Sequence, residues 1–247
     1  MNTKSAIVTG AGSGLGRALA LRYARDGYAV ACADIVPERA QETLALLPGA
    51  GHHALRVDVG DDASVDALRA SLEHVWDSID VVVNNAGVAS GGSILEADMA
   101  EWQWMLNINL LGVVRGCRAF VPWLVRQKRG RVINIASFAA LAGAPNIMSY
   151  GVAKAGVYSL SDQLRAELYA KGVEVSVVCE GYAPLELADE MPGAEVDWDA
   201  ERARHPWAFV DDDSWPWHVH AFGLRTPRGL VLVDAGVSPF PPVRPWA

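Results

Sequence analysis

The sequence has little cysteine, no clustered positive charge and no long apolar run. Its three cysteines, Cys32, Cys117 and Cys179, lie far apart with no C-x-x-C pair. That argues against a disulfide framework and reads as small apolar core residues of a reduced, intracellular protein. Lys and Arg number 21 against 29 Asp and Glu, a net charge of −8. With no basic cluster to offset it, no nucleic acid is expected as a partner. No apolar run approaches the ~18 residues of a membrane span, and Met1 leads straight into a strand-like Ala6-Ile7-Val8-Thr9 without a signal-peptide core. The expected setting is cytoplasmic, with no membrane partner. Internal repeats are absent too.

What is present fits one large α/β domain. Of the 247 residues, 51% are apolar, enough for a core built on a largely buried sheet. Strand-like runs at 5–9, 28–34, 53–57, 80–84, 130–137 and 173–179 alternate with helical patterns. Such an order predicts a doubly wound parallel sheet (a Rossmann fold) with helices on both faces.

The first strand runs into Thr9-Gly10-Ala11-Gly12-Ser13-Gly14-Leu15-Gly16 and then an Ala/Leu/Arg helix. Glycines between a strand and a helix let backbone approach a pyrophosphate, which the helix N-terminus stabilises. Gly10, Ser13, Gly14, Leu15 and Gly16 are therefore candidate cofactor contacts; the alternative is a Gly-rich turn with no ligand. Asp34 ends the second strand, eighteen residues after Gly16, close to the ~20 expected of an acid that holds ribose hydroxyls. Its carboxylate would repel a 2′-phosphate and Ile35 offers no cation, so NAD is the expected cofactor over its phosphorylated form. Asp34 could also cap the helix that starts near Pro37. Asn84-Asn85-Ala86-Gly87 closes the fourth strand. There an Asn side chain can hold neighbouring backbone, and Ala86 and Gly87 leave room beside a cofactor.

Ser137, Tyr150 and Lys154 carry the chemistry. Tyr150 and Lys154 are four residues apart, one turn from each other on one helix face. A phenol ordinarily ionises near pH ~10; an ammonium one turn away favours the phenolate and suits Tyr150 to acid-base work. Ser137 closes Arg131-Val132-Ile133-Asn134-Ile135-Ala136-Ser137, which places its hydroxyl at a strand's carboxyl end, where open α/β sheets bind ligands.

Taken together, Thr9 to Gly16, the N-N-A-G run and Ser137 thirteen residues before Y-x-x-x-K resemble the classical short-chain dehydrogenase/reductase family over residues 4–181. The resemblance implies an NAD(H)-dependent alcohol dehydrogenase or carbonyl reductase acting on a small alcohol or carbonyl substrate. In it Tyr150 exchanges a proton with the substrate oxygen. Lys154 acts on Tyr150 and bonds the nicotinamide ribose, Ser137 holds the substrate oxygen, and Asn109 joins a water relay. Asp58, with Val59 beside it, would hold the adenine; turn chemistry is the other reading of Asp58, as a bond to its own backbone is for Asn109. Asn85, Ala86, Gly87 and Gly181 complete the implied cofactor contacts. The resemblance also implies a homo-oligomer, a dimer or tetramer, paired through the two long helices near 101–128 and 150–170.

The pattern breaks after the sixth strand, so residues 1–190 are expected to form the catalytic core and 191–247 an atypical segment. Gly181 matches the family, but Glu180 stands where Pro is usual and Leu185 where Thr is. Beyond residue 195 fall five of nine Trp and seven of thirteen Pro. His218–Leu224, a turn at Thr226–Gly229 and Leu230–Gly236 read as a hairpin. It resembles both the family's last strand and the opening hairpin of metallo-β-lactamase-fold proteins. No H-x-H-x-D-H set follows, so no metal is expected and His218 and His220 read as structural. Two further readings stand beside the enzyme: an NAD(H)-binding regulator or scaffold with little turnover, and a fusion or truncation product with a hydrolase-like tail.

Overall fold

The computed structural model describes residues 4–90, 92–143 and 146–179, together with the strands His218–Thr226 and Gly229–Ser238. The chain falls into two compact units, Met1–Val178 and Cys179–Ala247. The boundary near residue 190 lies outside the described residues.

In the first unit, β1 (Ser5–Thr9), β2 (Ala29–Asp34), β3 (His53–Arg56), β4 (Val81–Asn84), β5 (Arg131–Ile135) and β6 (Glu174–Val178) form one sheet in the order β3-β2-β1-β4-β5-β6. Every neighbouring pair is parallel. This is the doubly wound sheet expected, and the order reverses between β1 and β4, where such sheets open a crevice for a ligand. β1, β2 and β4 are buried along their whole length, which is why they read as continuous apolar runs and not as alternating ones. Small side chains let a helix lie close to them: Ala6, Ala20, Ala24 and Val30 share one cluster with Val8, Cys32 and Val83. Burial pushes the thiols of Cys32 and Cys117 up to about 12, so both remain protonated core residues.

Between the strands run α1 (Gly14–Arg25), α2 (Pro37–Leu46), α3 (Asp62–Glu73), α4 (Met99–Leu106), α5 (Gly112–Gln127) and α6 (Met148–Leu168). Asp61 caps α3, accepting from the backbone N–H groups of Ala63 and Ser64. A π-helical turn, Asn107–Leu111, joins α4 to α5. The resulting helix, Met99–Gln127, holds an 18-residue window of mean hydropathy 1.3. The absence of a membrane-length apolar stretch therefore needs correcting, because by length and composition this helix could span one. Half of that window is buried within the fold, with Met105, Val113, Phe120 and Leu124 all in the core.

The second unit contains β7 (His218–Thr226) and β8 (Gly229–Ser238), antiparallel and closed at Thr226↔Gly229. The predicted hairpin is thus present, its first strand two residues and its second three residues longer than expected. Its register shifts between Val219 and Ala221, an irregularity of the bulge kind. Glu180, Gly181 and Leu185 lie outside the described residues, as do residues 239–247.

Candidate active site

The crevice between β1 and β4 is assembled by the first turn of chain after each strand. Gly10 has φ +67° and its missing Cβ would sit 2.9 Å from Ala86 Cα. A Cβ on Gly16 would meet the Gly10 carbonyl oxygen at 2.0 Å, so α1 can start where it does only with glycine there. Thr9 Oγ1 accepts from the N–H of Asn85 (3.0 Å) and of Ala86 (3.1 Å), while Asn85 Nδ2 donates to the Thr9 carbonyl at 2.8 Å. The N-N-A-G run thus holds the glycine turn in place, as Asn85 was expected to do. Thr9 is the residue missed, although it stood in the quoted motif.

The start of α1 suits an anion. Ser13 occupies the N-cap without a side-chain bond and the first turn carries no acid. The opening N–H groups of the helix therefore lack an intrahelical or capping partner, and above Gly14 there is open space, with nothing within 4 Å of a would-be Cβ. Exposed N–H groups at the positive end of a helix dipole, beside glycines that leave room, fit a pyrophosphate. Arg17 braces the turn from behind by donating to the Gly12 carbonyl at 2.6 Å and to Thr43 Oγ1 at 3.0 Å. Sequence gave no sign of that brace, since Arg17 looks like any exposed helix arginine.

Asp34 is buried at the end of β2, and its two oxygens accept from Gly12 N (2.8 Å) and Val36 N (3.0 Å). It does not cap α2, whose N-cap is Val36 without a side-chain bond. Its bonds fix a carboxylate at the rim of the glycine turn, where lone pairs remain for ribose hydroxyls. Asp58 Oδ1 accepts from Gly60 N at 2.8 Å, which is turn chemistry. Val59 packs on Gly112 and its carbonyl accepts from Arg115.

The other half of the site is made of side chains. Lys154 is buried on α6 and its Nζ donates to the Ile135 carbonyl at 2.8 Å. The same Nζ lies 5.6 Å from the centre of the Tyr150 ring and 3.7 Å from where a Cβ on Gly87 would be. One turn of helix therefore joins Tyr150 to the N-N-A-G loop. Ser137 follows β5 and caps the short 3-10 turn Phe138–Ala140, its Oγ accepting from Ala139 N. Asn109 is fully buried in the π-helical turn. Its side chain accepts from Val88 N (2.8 Å) and donates to Val88 O (2.7 Å). That bond pair fastens the chain just past Gly87 to the helix, so the side chain acts as a brace and the helix departs from α geometry where Asn109 sits.

Two further features escaped the sequence. Asn84, Asn134 and Ser161 form a buried chain, Asn84 Nδ2 donating to Asn134 Oδ1 (2.8 Å) and Asn134 Nδ2 to Ser161 Oγ (3.0 Å). It ties β4 and β5 to the helix of Tyr150. A cavity of about 300 Å³ lies beside α6, lined by Ala139, Gly143, Ile147, Met148, Gly151 and Val152, with Ala155. Among the described residues no group of three His, Cys, Asp or Glu could hold a metal.

The short chain dehydrogenase family model matches residues 4–193, and the chain belongs to that family. It is 41% identical to the Mycobacterium tuberculosis protein named "Probable oxidoreductase EphD" over 70% of this chain, but spans only 30% of that protein's length. A subunit of (2S)-[(R)-hydroxy(phenyl)methyl]succinyl-CoA dehydrogenase from Thauera aromatica is 35% identical, covering 78% of both chains. Among solved structures, a short chain dehydrogenase/reductase of Burkholderia phymatum, in complex with NAD, superposes with a TM-score of 0.70 at 30% identity, over 83% of this chain and 79% of that one.

Proposed function

We propose that the protein is an oxidoreductase that interconverts an alcohol and a ketone or aldehyde, with NAD as the cofactor. The observation that carries this reading is the buried Lys154, which reaches from the Tyr150 helix to the loop at Gly87. A buried lysine is costly unless its charge is used, and this one lies next to a phenol at the mouth of a dinucleotide crevice. Asp34 at the rim of the glycine turn supports the unphosphorylated cofactor, because a second negative charge there would be repelled.

NAD(H) would lie across the Gly10–Gly16 turn, held by the first N–H groups of α1, by Asp34 and by the loop at Ala86 and Gly87; when bound it accepts or supplies the hydride. The Tyr150 hydroxyl passes its proton to the substrate oxygen in reduction and takes it back in oxidation. Ser137 Oγ donates to that oxygen and orients it, and Lys154 keeps positive charge beside the phenol. Asn109 fixes the Val88 backbone and so the loop that flanks the nicotinamide. A homo-oligomer fits this reading, since Leu111 on the π-helical turn and Val152 and Tyr158 on α6 leave large apolar side chains exposed.

The test is cofactor-dependent absorbance change over a panel of alcohols and carbonyls, with Tyr150→Phe as control. Turnover by the wild type that vanishes in the variant is the expected result. NADH binding with no turnover on any substrate would favour the regulator or scaffold, and equal activity in Tyr150→Phe would remove the mechanism.

A further inference from the structure

Glu101 stands three residues after Asp98, the N-cap of α4, whose Oδ1 accepts from Glu101 N at 2.8 Å. A Glu in that place ordinarily reaches back to the N–H of the cap and closes a capping box. Here its carboxylate turns elsewhere. Glu101 Oε1 accepts from Ser90 Oγ at 2.7 Å and from Ser149 Oγ at 3.1 Å. Ser90 lies three residues beyond Gly87; Ser149 immediately precedes Tyr150 and is buried, 3% exposed.

The two segments that Glu101 joins also meet through their backbones. Gly92 N donates to the Asn146 carbonyl at 2.7 Å, and Gly92 pairs in parallel with Ile147. A Cβ on Gly92 would come within 3.3 Å of Glu101 Oε2, so the carboxylate is packed against this bridge. The N-cap of α6 is Ile147, which makes no side-chain bond, and Asn146 before it has φ +61°.

We propose that Glu101 is a positioning residue: through Ser90 and Ser149 its carboxylate clamps the loop beyond Gly87 to the first turn of α6, and thereby sets Tyr150 against the nicotinamide side of the crevice. The proposal rests on the reading of Tyr150 as the proton-exchanging group. Loss of the clamp leaves the glycine turn and Asp34 untouched, so cofactor affinity stays and the chemical step slows. A displacement of about 1 Å of a reacting group can cost on the order of 100-fold; partial loosening of one turn is expected to cost about tenfold in kcat.

The experiment uses the full chain with Glu101→Ala, Ser149→Ala, their double variant, Glu101→Gln and Tyr150→Phe. Hydrogen exchange is measured at the Gly92 amide, and kcat, KM and NADH affinity are measured on a substrate found in the panel. Expected are at least tenfold faster Gly92 exchange and about tenfold lower kcat in Glu101→Ala, with NADH affinity unchanged. The double variant should be no worse than the worse single one, and Glu101→Gln, which keeps the accepting oxygen, should restore both readouts. Unchanged Gly92 exchange in Glu101→Ala overturns the clamp, whether or not turnover is found. So do additive losses in the double variant, no rescue by Gln, or a full kcat in Glu101→Ala where Tyr150→Phe is inactive. Activity retained in Tyr150→Phe instead overturns the reading of Tyr150 and leaves the exchange result to judge the clamp alone.

Discussion

The two sides of the crevice are built in different ways. On the β1–β2 side the crevice is lined by backbone: glycines without Cβ atoms, uncapped N–H groups at the start of α1, and one carboxylate whose oxygens are tied to Gly12 and Val36. The β4–β6 side is built from side chains that reach across the fold, Lys154 to Ile135, Asn109 to Val88, Glu101 to Ser90 and Ser149. A backbone site depends on space and on φ. A side-chain site depends on partners drawn from distant parts of the chain. The first should therefore fail through steric clash and the second through loss of a single atom.

The largest contrast is expected between Tyr150→Phe and Gly16→Ala. Removing one oxygen from Tyr150 should lower kcat about 1000-fold, within the range of acid-base contributions, with NADH affinity and melting temperature near wild type. Gly16→Ala should do the reverse. A Cβ placed 2.0 Å from the Gly10 carbonyl cannot be accommodated without moving the turn, at a cost of several kcal/mol in stability and with loss of NADH binding. If Gly16→Ala binds NADH normally, the backbone account of that side is wrong. Titration with NADH by fluorescence and a thermal melt decide both cases.

Lys154→Ala should fall between the two and blur the contrast, since its Nζ lies near both the Tyr150 ring and the Gly87 loop. Both kcat and NADH affinity should drop, kcat by about 100-fold or more; a loss confined to kcat would show that Lys154 makes no cofactor contact. Asp34→Ser with Ile35→Arg sharpens the backbone side. It removes the rim charge and adds a cation at an exposed position, and should move preference at least tenfold toward NADPH, because a like charge there costs more than a kcal/mol. Wild type that binds NADPH more tightly than NADH would overturn the role given to Asp34. The smallest effect belongs to Cys32 and Cys117. Burial holds their thiols at about 12, so the thiolate is scarce at pH 8 and iodoacetamide should leave both unmodified in the folded protein. Rapid labelling would mean that the core opens.

The sheet was legible because its central strands β1, β2 and β4 are buried and largely apolar runs and the strands end in polar or glycine punctuation. The expected strand at 28–34 forms at Ala29–Asp34, and that at 130–137 at Arg131–Ile135. The ends shifted by one or two residues because a strand stops where its neighbour stops pairing. The membrane-length helix is hidden in the sequence because Asn107, Asn109, Arg115 and Arg118 interrupt its apolar run. In the fold, Asn107 and Arg115 bond to each other and to backbone, Arg115 Nη2 to Asn107 Oδ1 at 2.8 Å, and their polarity is satisfied within the protein.

The sequence by itself determined the order of strands and helices, the glycine turn, the acid at the end of β2 and the one-turn spacing of Tyr150 and Lys154. All of these are local, fixed by periodicity, by missing Cβ atoms or by helix geometry over a few residues. Only the tertiary structure decided what those groups touch. Thr9 holds Asn85 and Ala86 across 76 and 77 residues, Asn84 meets Asn134 across 50, and Ser149 meets Glu101 across 48. A hydroxyl or amide has many partners open to it along an unfolded chain, and nothing in its neighbours' identities selects one. The selection comes when parallel crossovers bring the ends of β1, β4 and β5 together at the carboxyl end of the sheet, where a buried polar atom must find a partner or bear the cost of going without one.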